Sequence, residues 1–552
     1  MNNKYLYPCL IGIFVLIYIA PLDHLPLFIP DETRYAEIPR EMIATGDWVV
    51  PRLNGLNYFE KPVMGYWISS LSLMTIGENN FAVRLPSALA CGFIALMIML
   101  LCNYSCGRRS QVAGLATVVF LTSLGVVTIG GIAVLDGILT FFVSACLICF
   151  FMACEQQVRS KKEHQYLFLA GLLAGCAFLT KGFLAFAVPV LTVAPYFLWQ
   201  KRWRDCFRMV WLPLFGAALI SLPWALLIHL REPDFWSYFF WHEHIHRFFA
   251  ESAQHKEAFW FFIAALPLMF IPWTFILPTA YLGLRNKIWQ SQSEFNLFKF
   301  CICWFIFPFL FFSASSGKLL TYILPCFPPL AILSGLGFTE YLKSNSTKTF
   351  QIGAGIAAVI FGITMIALPG IQLLGFVEAP PFYMAWKWIA ITGSLGIMVL
   401  LLIISIRYEV GLKKYIVFAL SPVCLFITSH LTMPQQTLER KALEPLLQQY
   451  VKKVNPQTVI LSSEDVVRAV CWYFKRDNVF LIESAGELHY GLNQEDSRSH
   501  ISPEEASELI RKHPGNAILV TDRDQYNRWH QFLPKPLIID TLGTRGYLLL
   551  RY

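Results

Sequence analysis

Apolar residues along the chain gather into runs of about 20, each long enough to cross a hydrocarbon core about 30 Å thick. The runs lie at roughly 5–20, 81–102, 112–130, 138–153, 166–180, 183–199, 209–229, 259–284, 298–312, 322–341, 352–374, 388–406 and 415–432. They predict a polytopic α-helical membrane protein with about 13 transmembrane helices. The polar segments between them are of two kinds. One set is short and basic: Arg108-Arg109; Arg159, Lys161 and Lys162; Lys201, Arg202, Arg204 and Arg208; Arg285 and Lys287; Lys343 and Lys348; Arg407, Lys413 and Lys414. Short loops rich in Lys and Arg stay cytoplasmic. The alternate loops, 21–80, 231–258 and the turns near Asp136, Lys181 and Lys318, are then external. This topology puts the N-terminus inside and everything after Thr432 outside. The first run has no small-residue cleavage site and reads as a retained helix.

The loop 21–80 is too polar to span. It carries amphipathic pieces at 33–45 and 62–74, a pattern suited to the outer interface. After 432 the periodicity changes to a soluble α/β alternation. Helices are predicted over 438–451, 464–474 and 502–513, the last opening on Ser-Pro-Glu-Glu. Strands are predicted over 458–462, 479–482, 517–520 and within 536–550. The division is a membrane domain, 1–435, and a C-terminal α/β domain, 436–552, of about 115 residues.

Composition sharpens this. The 552 residues are 56% hydrophobic and 14% charged, with a mean hydropathy of +0.52. Soluble chains are about one quarter charged, which excludes a large water-soluble enzyme. The net charge of +8 sits in the short loops, not in a basic stripe with interleaved aromatics, so no nucleic-acid partner is expected. Cys146 and Cys149 fall inside an apolar run and read as small core residues. Only Cys471 lies in the tail, which therefore has no internal disulfide.

Candidate chemistry crowds the external segments. In Pro30-Asp31-Glu32-Thr33-Arg34-Tyr35, a helix would place Asp31, Arg34 and Tyr35 on one face, at i, i+3 and i+4. Asp31 is either a ligand of the substrate there or a helix N-cap. Tyr58-Phe59-Glu60-Lys61-Pro62 puts Lys61 at the N-cap of a following helix, since proline favours the first helical position. Lys181-Gly182 and Gly317-Lys318 repeat that arrangement. Such lysines are either snorkelling or, beside positive helix ends, ligands of a phosphate. Asp136 stands at the outer edge of an apolar helix, as a functional acid or another cap. In the loop 231–258, Arg247 suits a phosphate. His244 with Glu60 suits a zinc-like divalent ion, but no dedicated metal-ligand spacing supports one, and an ordinary interfacial histidine is the favoured alternative. Neither a phosphate-binding glycine loop nor a dinucleotide fingerprint is present.

At these residues the chain resembles the bacterial 4-amino-4-deoxy-L-arabinose transferases that modify lipid A, in the GT-C glycosyltransferase superfamily. The matching stretches include PDETRYAEIPREM (30–42), YFEKPVMGYW (58–67), AVLD (133–136), TKGFLAFAVPVL (180–191), REPDFWSYFFWHEHIHRF (231–248), FFSASSGKLLTYILPCF (311–327) and GELHYGLN (486–493). The resemblance implies a GT-C fold with juxtamembrane helices and a periplasmic α/β domain, in the bacterial inner membrane. It implies undecaprenyl phosphate-linked aminoarabinose as donor, a lipid A phosphate as acceptor, and protection against polymyxin. It makes Asp31 the central carboxylate, Lys61 and Lys181 ligands of the carrier phosphate, and Arg34, Tyr35, Tyr58, Glu60 and Asp136 the cavity lining, with Tyr322 positioning the loop at Lys318. The rival expectations are another polyprenyl-phosphate-sugar transferase, such as a protein mannosyltransferase, and a lipid-sugar flippase. Transporters, however, concentrate ionisable residues at the midplane.

Overall fold

A computed structural model describes the chain except residues 1–2, 108–109, 242–255, 345, 375–381, 383, 410, 495–498 and 544–545. The chain divides into two compact units. The first comprises Met1–Leu22, Ser87–Glu378 and Trp386–Thr432; the second comprises Asp23–Pro86, Ala379–Ala385 and Met433–Tyr552. The sequence places a boundary at 435/436 and assigns the loop 21–80 to the membrane domain. The fold instead groups residues 23–86 with the C-terminal residues.

Every apolar run in the first unit is helical. Among the described residues, eight helices are long and apolar enough to span a membrane, or up to ten if two bent pairs each count once. That is fewer than the expected 13. Helices Tyr7–Ile19 and Leu184–Trp199 are short, and Lys161–Lys181 spends its first turn on Lys161, Lys162 and Glu163.

The runs at 112–130 and 259–284 are not straight. Val112–Leu121 and Leu124–Gly130 meet at 60°, and Phe261–Met269 and Trp273–Arg285 at 96°. At the first break the Thr122 and Ser123 hydroxyls donate to the carbonyls four residues back, each at 2.6 Å, an alternative to continuing the ladder. At the second, Pro272 supplies no N–H. The two breaks satisfy each other: Leu124 N–H donates to the Ile271 carbonyl at 2.9 Å and the Trp273 indole to Thr122 Oγ1 at 3.0 Å. Irregular backbone at membrane depth persists only where protein groups pair it in this way. Cys146 and Cys149 are buried with Ala170, Ala174 and Ala217, as small core residues should be.

In the second unit, residues 52–57 form a hairpin of β1 (Arg52–Leu53) and β2 (Leu56–Asn57). Asn54 and Gly55 both have positive φ, 57° and 73°, the Asn-Gly turn that matches strand twist. A Cβ at Gly55 would also lie 2.8 Å from the Asp477 carbonyl oxygen. The C-terminal residues form a six-stranded sheet of β3 (Val459–Ser462), β4 (Phe480–Ile482), β5 (His500–Ile501), β6 (Ala517–Asp522), β7 (Ile538–Thr541) and β8 (Tyr547–Arg551). Its order is β5-β4-β3-β6-β8-β7, parallel across the first four strands and antiparallel at β6-β8-β7. Trp529, Leu519 and Leu550 lie in the core beneath it. Helix Glu464–Phe474 has the bounds its pattern predicts. Pro503–Lys512 opens with Ser502 and Glu505 in a reciprocal capping box. The helix expected over 438–451 is instead two short ones, Gln435–Lys441 and Glu444–Leu447.

The first-loop helix, Asp31–Thr45, does not lie as a half-wet amphipathic surface helix. Ten of its residues are buried, including Glu32, Arg34, Glu37, Arg40 and Glu41. Glu32 accepts two 2.7 Å hydrogen bonds from Arg84, and Arg84 also donates to the Leu25 and Pro26 carbonyls at 2.6 and 2.7 Å. Glu37 holds Arg40 at 2.6 and 2.7 Å. Glu41 accepts the turn N–H groups of Asn54 and Gly55 at 2.6 and 3.1 Å. The same Asn54 side chain exchanges two 2.8 Å hydrogen bonds with the Val479 backbone. Most charges in PDETRYAEIPREM are therefore structural, because a buried charge persists only when paired. Glu41 clamps the helix to the hairpin, and Asn54 clamps the hairpin to the residue before β4.

Candidate active site

Two groups of the expected residues assemble, one in each unit. In the second unit, the helix N-cap is Pro30, so Asp31 occupies the first helical position and caps nothing. The helix does place Asp31, Arg34 and Tyr35 on one face. Asp31 Oδ1 lies 3.5 Å from Arg34 Nη1, and its side chain remains 60% exposed. Arg34 is buried and packs 5.9 Å from the Tyr35 ring centre, which stacks on Tyr66 at 6.3 Å.

The hairpin then delivers Tyr58, Glu60 and Lys61. Tyr58 is buried, and its hydroxyl donates to Glu487 Oε2 at 3.2 Å. Lys61 donates to its neighbour's carbonyl at 2.8 Å and lies 3.9 Å from Glu60 Oε2. The expected N-cap position for Lys61 is not realised: the following helix is Met64–Ile76 with Val63 as N-cap. Pro62 falls outside the helix, so the lysine contributes charge without the dipole.

Glu487, at the start of the tail's GELHYGLN stretch, is the residue that sequence reasoning missed. It receives Arg34 Nη2 at 2.8 Å, Arg468 Nη2 at 2.7 Å and the Tyr58 hydroxyl. Burial alone would raise its carboxyl, but Arg34 and Arg468 outweigh that and hold it below the usual glutamate value. Its only sequence signal was the stretch itself, in a region read as a separate domain. Arg34 Nε and the Tyr66 hydroxyl are buried without a partner among the described residues. Such groups are costly unless something bonds them.

A carboxyl with a depressed pKa stabilises the fold above its unfolded value, and that contribution is lost as pH falls through the folded value. The full-length chain should therefore lose stability as pH drops below about 4.3, the ordinary glutamate value. Glu487→Gln should cost up to about 3 kcal/mol at neutral pH, because it leaves Arg34 and Arg468 only their longer ion pairs, to Asp31 at 3.5 Å and Glu464 at 3.8 Å. The gap between variant and wild type should close in acid, as read from thermal unfolding at several pH values. A gap that does not change with pH would remove Glu487 from the titrating set.

In the first unit, Asp136 lies in the first turn of Leu135–Cys154, whose N-cap is Val134. It is neither alone nor a cap: Oδ1 accepts from Lys181 Nζ at 2.6 Å. Lys181 does not open a helix. It is the last residue of Lys161–Lys181, where a cation complements the negative dipole end. Its ammonium sits 4.7 Å from the ring centre of Tyr322, in the short helix Leu320–Cys326. Lys318 is 4% exposed and donates to the carbonyls of Glu257 and Ser315. In this structure it is a strut joining two segments, not an open cation at a helix N-terminus. His244 and Arg247 lie outside the described residues. Among the described residues no three His, Cys, Asp or Glu side chains come together to hold a metal ion.

A family model described as dolichyl-phosphate-mannose-protein mannosyltransferase matches residues 6–239. Another, described as the C-terminal domain of arabinosyl transferase ArnT, matches residues 438–550. The crystal structure of ArnT from Cupriavidus metallidurans bound to undecaprenyl phosphate has the same fold, with a TM-score of 0.82 at 22% identity, covering 100% of this chain and 98% of that one. The fold, a helical membrane unit and an α/β domain, is the one expected of a GT-C glycosyltransferase, and the relatives at higher identity fix the class. The undecaprenyl phosphate-alpha-4-amino-4-deoxy-L-arabinose arabinosyl transferase of Aeromonas hydrophila is 38% identical over 550 residues, covering 98% of this chain and 97% of its own length. That of Shewanella sediminis is 38% identical over 503 residues, 90% of each chain. The chain belongs to the undecaprenyl phosphate-aminoarabinose arabinosyl transferase family.

Proposed function

We propose that the protein moves 4-amino-4-deoxy-L-arabinose from undecaprenyl phosphate to phosphate groups of lipid A, at the periplasmic face of the bacterial inner membrane. Family membership supports the donor, and the lipid A acceptor is what the family resemblance implies; its chemistry suits the site. A lipid phosphate is already ionised at neutral pH, so its oxygen attacks the anomeric carbon without a strong general base. The new carbon–oxygen bond forms as the bond to the carrier phosphate breaks, and the electron pair leaves on that phosphate. One displacement inverts the anomeric centre and needs no covalent enzyme intermediate.

The observation that carries this reading is Asp31, an exposed carboxylate held 3.5 Å from an arginine that Glu487 fixes in place. A carboxylate so placed favours the cationic, oxocarbenium-like sugar. Positive charge on the leaving phosphate is the complementary need, met by preorganised cations aimed where charge develops. Lys61 and Lys181 have that role in this reading, with Arg247 as a further phosphate ligand and Asp136 as second acid; Lys318 joins them only if it releases the Glu257 and Ser315 carbonyls. Either Glu60 or Asp136 selects the donor's ammonium. A divalent ion at Glu60 and His244 is part of the same proposal, and no step above depends on it. Aminosugar cations on lipid A would weaken its hold on polymyxin and other cationic peptides.

The decisive assay mixes the purified full-length chain with undecaprenyl phosphate-aminoarabinose and lipid A and weighs the lipid product. No lipid A adduct, together with mannose transfer from a polyprenyl phosphate to peptide, would favour the protein mannosyltransferase alternative. In cells, Lys61→Glu should lower transfer about a hundredfold by repelling the leaving phosphate. Polymyxin protection should fall to the level of a strain lacking the protein while membrane insertion is unchanged. Wild-type protection would take Lys61 out of the site.

A further inference from the structure

Helices Lys161–Lys181 and Trp211–Arg231 cross at backbone distance. A Cβ on Gly171 would lie 2.3 Å from the Pro213 carbonyl oxygen, and one on Gly216 would lie 2.7 Å from that of Phe168. Small residues lock the crossing in this way. Next to it, where the loop before the first helix meets the start of the second, is a pocket of about 410 Å³. Arg159, His164 and Arg208 supply its polar lining, and Leu167, Trp211 and Phe215 its apolar lining.

The polar side is built, not incidental. Buried Glu163 accepts two hydrogen bonds from Arg208, at 2.9 and 2.7 Å, and the Arg159 main-chain N–H at 2.5 Å. Asp205 holds Arg208 Nε at 2.8 Å. The Arg159 guanidinium has no ion-pair partner among the described residues. His164 uses only Nδ1, at 2.8 Å from the Ser160 carbonyl. The segments 155–163 and 201–208 together carry seven Lys and Arg against three acids, a net of 7 − 3 = +4.

The apolar side is open: Trp211 is 72% and Phe215 61% exposed, and Phe207 on the adjoining short helix is 69% exposed. In a membrane-spanning chain, tryptophan beside arginine marks headgroup depth. A free anion would meet the arginines but leave the aromatic wall uncovered. An acyl chain would cover the wall but leave Arg159 unpaired. One molecule answers both.

We propose that this pocket binds an anionic phospholipid, its phosphate against Arg159 and His164 and one acyl chain along Trp211 and Phe215. Basic pockets between transmembrane helices bind such headgroups. The site requires only that the chain spans a membrane, and it stands whether or not aminoarabinose is the sugar moved.

The test places the full-length chain in phosphatidylcholine nanodiscs doped with either brominated phosphatidylglycerol or brominated phosphatidylcholine, at equal content. Bromine on the acyl chain quenches nearby tryptophan, and Trp211→Phe isolates the signal of that ring. Phosphatidylglycerol should quench Trp211 more than phosphatidylcholine does. Arg159→Gln with His164→Gln should reduce the preference about fivefold for the lost guanidinium. Arg208 is kept, because its removal would strand Glu163. Equal quenching by the two lipids, or an unchanged preference in the double variant, would overturn the proposal. So would relief of the quenching by inorganic phosphate, which would make this a soluble-anion site.

Discussion

Asp31→Asn should lower sugar transfer about a hundredfold to a thousandfold, the range for removing one preorganised electrostatic partner of a transition state. The substitution is nearly isosteric, and the position is unusual among the acids of its helix. Its side chain is 60% exposed, and its ionic neighbour among the described residues is Arg34 at 3.5 Å. Arg34 keeps its shorter bond to Glu487, at 2.8 Å, when Asp31 is neutral. Folding should therefore change by no more than about 1 kcal/mol, the worth of a negative charge at a helix N-terminus. Glu32→Gln and Glu41→Gln are the contrasting controls. Those carboxylates are buried and hold Arg84 and the Asn54-Gly55 turn, so their loss should reduce yield and stability first. The measurement is turnover alongside binding of undecaprenyl phosphate by the same preparation. Lost turnover with retained carrier binding assigns Asp31 to the chemical step. Near-normal turnover would defeat that role, and lost binding would move Asp31 to carrier recognition.

Much of this was legible along the chain, for physical reasons that vary by element. Membrane helices announce themselves because about 20 apolar residues have few other uses, and each such run is helical. Breaks within a run are harder to read. At 122–123 and 271–272 the signals are hydroxyls and a proline, and both are tolerated in straight spans when neighbours satisfy the backbone. The i, i+3, i+4 placement of Asp31, Arg34 and Tyr35 follows from helix geometry alone. The division of labour among the acids of that helix does not, since burial of Glu32, Glu37 and Glu41 depends on Arg84, Arg40 and the hairpin turn. The three lysines stand out in the sequence, but their settings do not. A proline two residues before a helix looks, in sequence, like one just inside it. Lys181 ends a helix and also precedes the next, so its dipole environment has the opposite sign to the one expected. Glu487 was hidden because its partners Arg34 and Tyr58 lie more than 400 positions away, and local spacing carries no such information.

The second large effect separates structure from chemistry at Lys181. Its ammonium and the Asp136 carboxylate are 2.6 Å apart, with side chains 13% and 12% exposed. Lys181→Met should therefore destabilise the protein by about 3–5 kcal/mol, because it leaves a desolvated carboxylate unpaired. A loss of transfer in that variant alone would say nothing about the carrier phosphate. The informative protein is the double variant, Asp136→Asn with Lys181→Met. Replacing both members of a buried pair with neutral groups of similar volume is often close to neutral for folding, so thermal stability in detergent should return to within about 1 kcal/mol of wild type. If Lys181 grips the leaving phosphate, carrier affinity should fall in this double variant and transfer should stay down about a hundredfold or more. Asp136→Asn alone, which keeps the lysine, should retain carrier affinity whatever it does to transfer. Tyr322→Leu supplies the graded case. It removes the ring 4.7 Å from the ammonium but leaves the ion pair, and should weaken carrier binding only about threefold to fivefold, the worth of one partly exposed cation–π contact. Recovery of both stability and transfer in the double variant would make the pair a structural brace and shift the phosphate-binding role to other cations, Lys61 first.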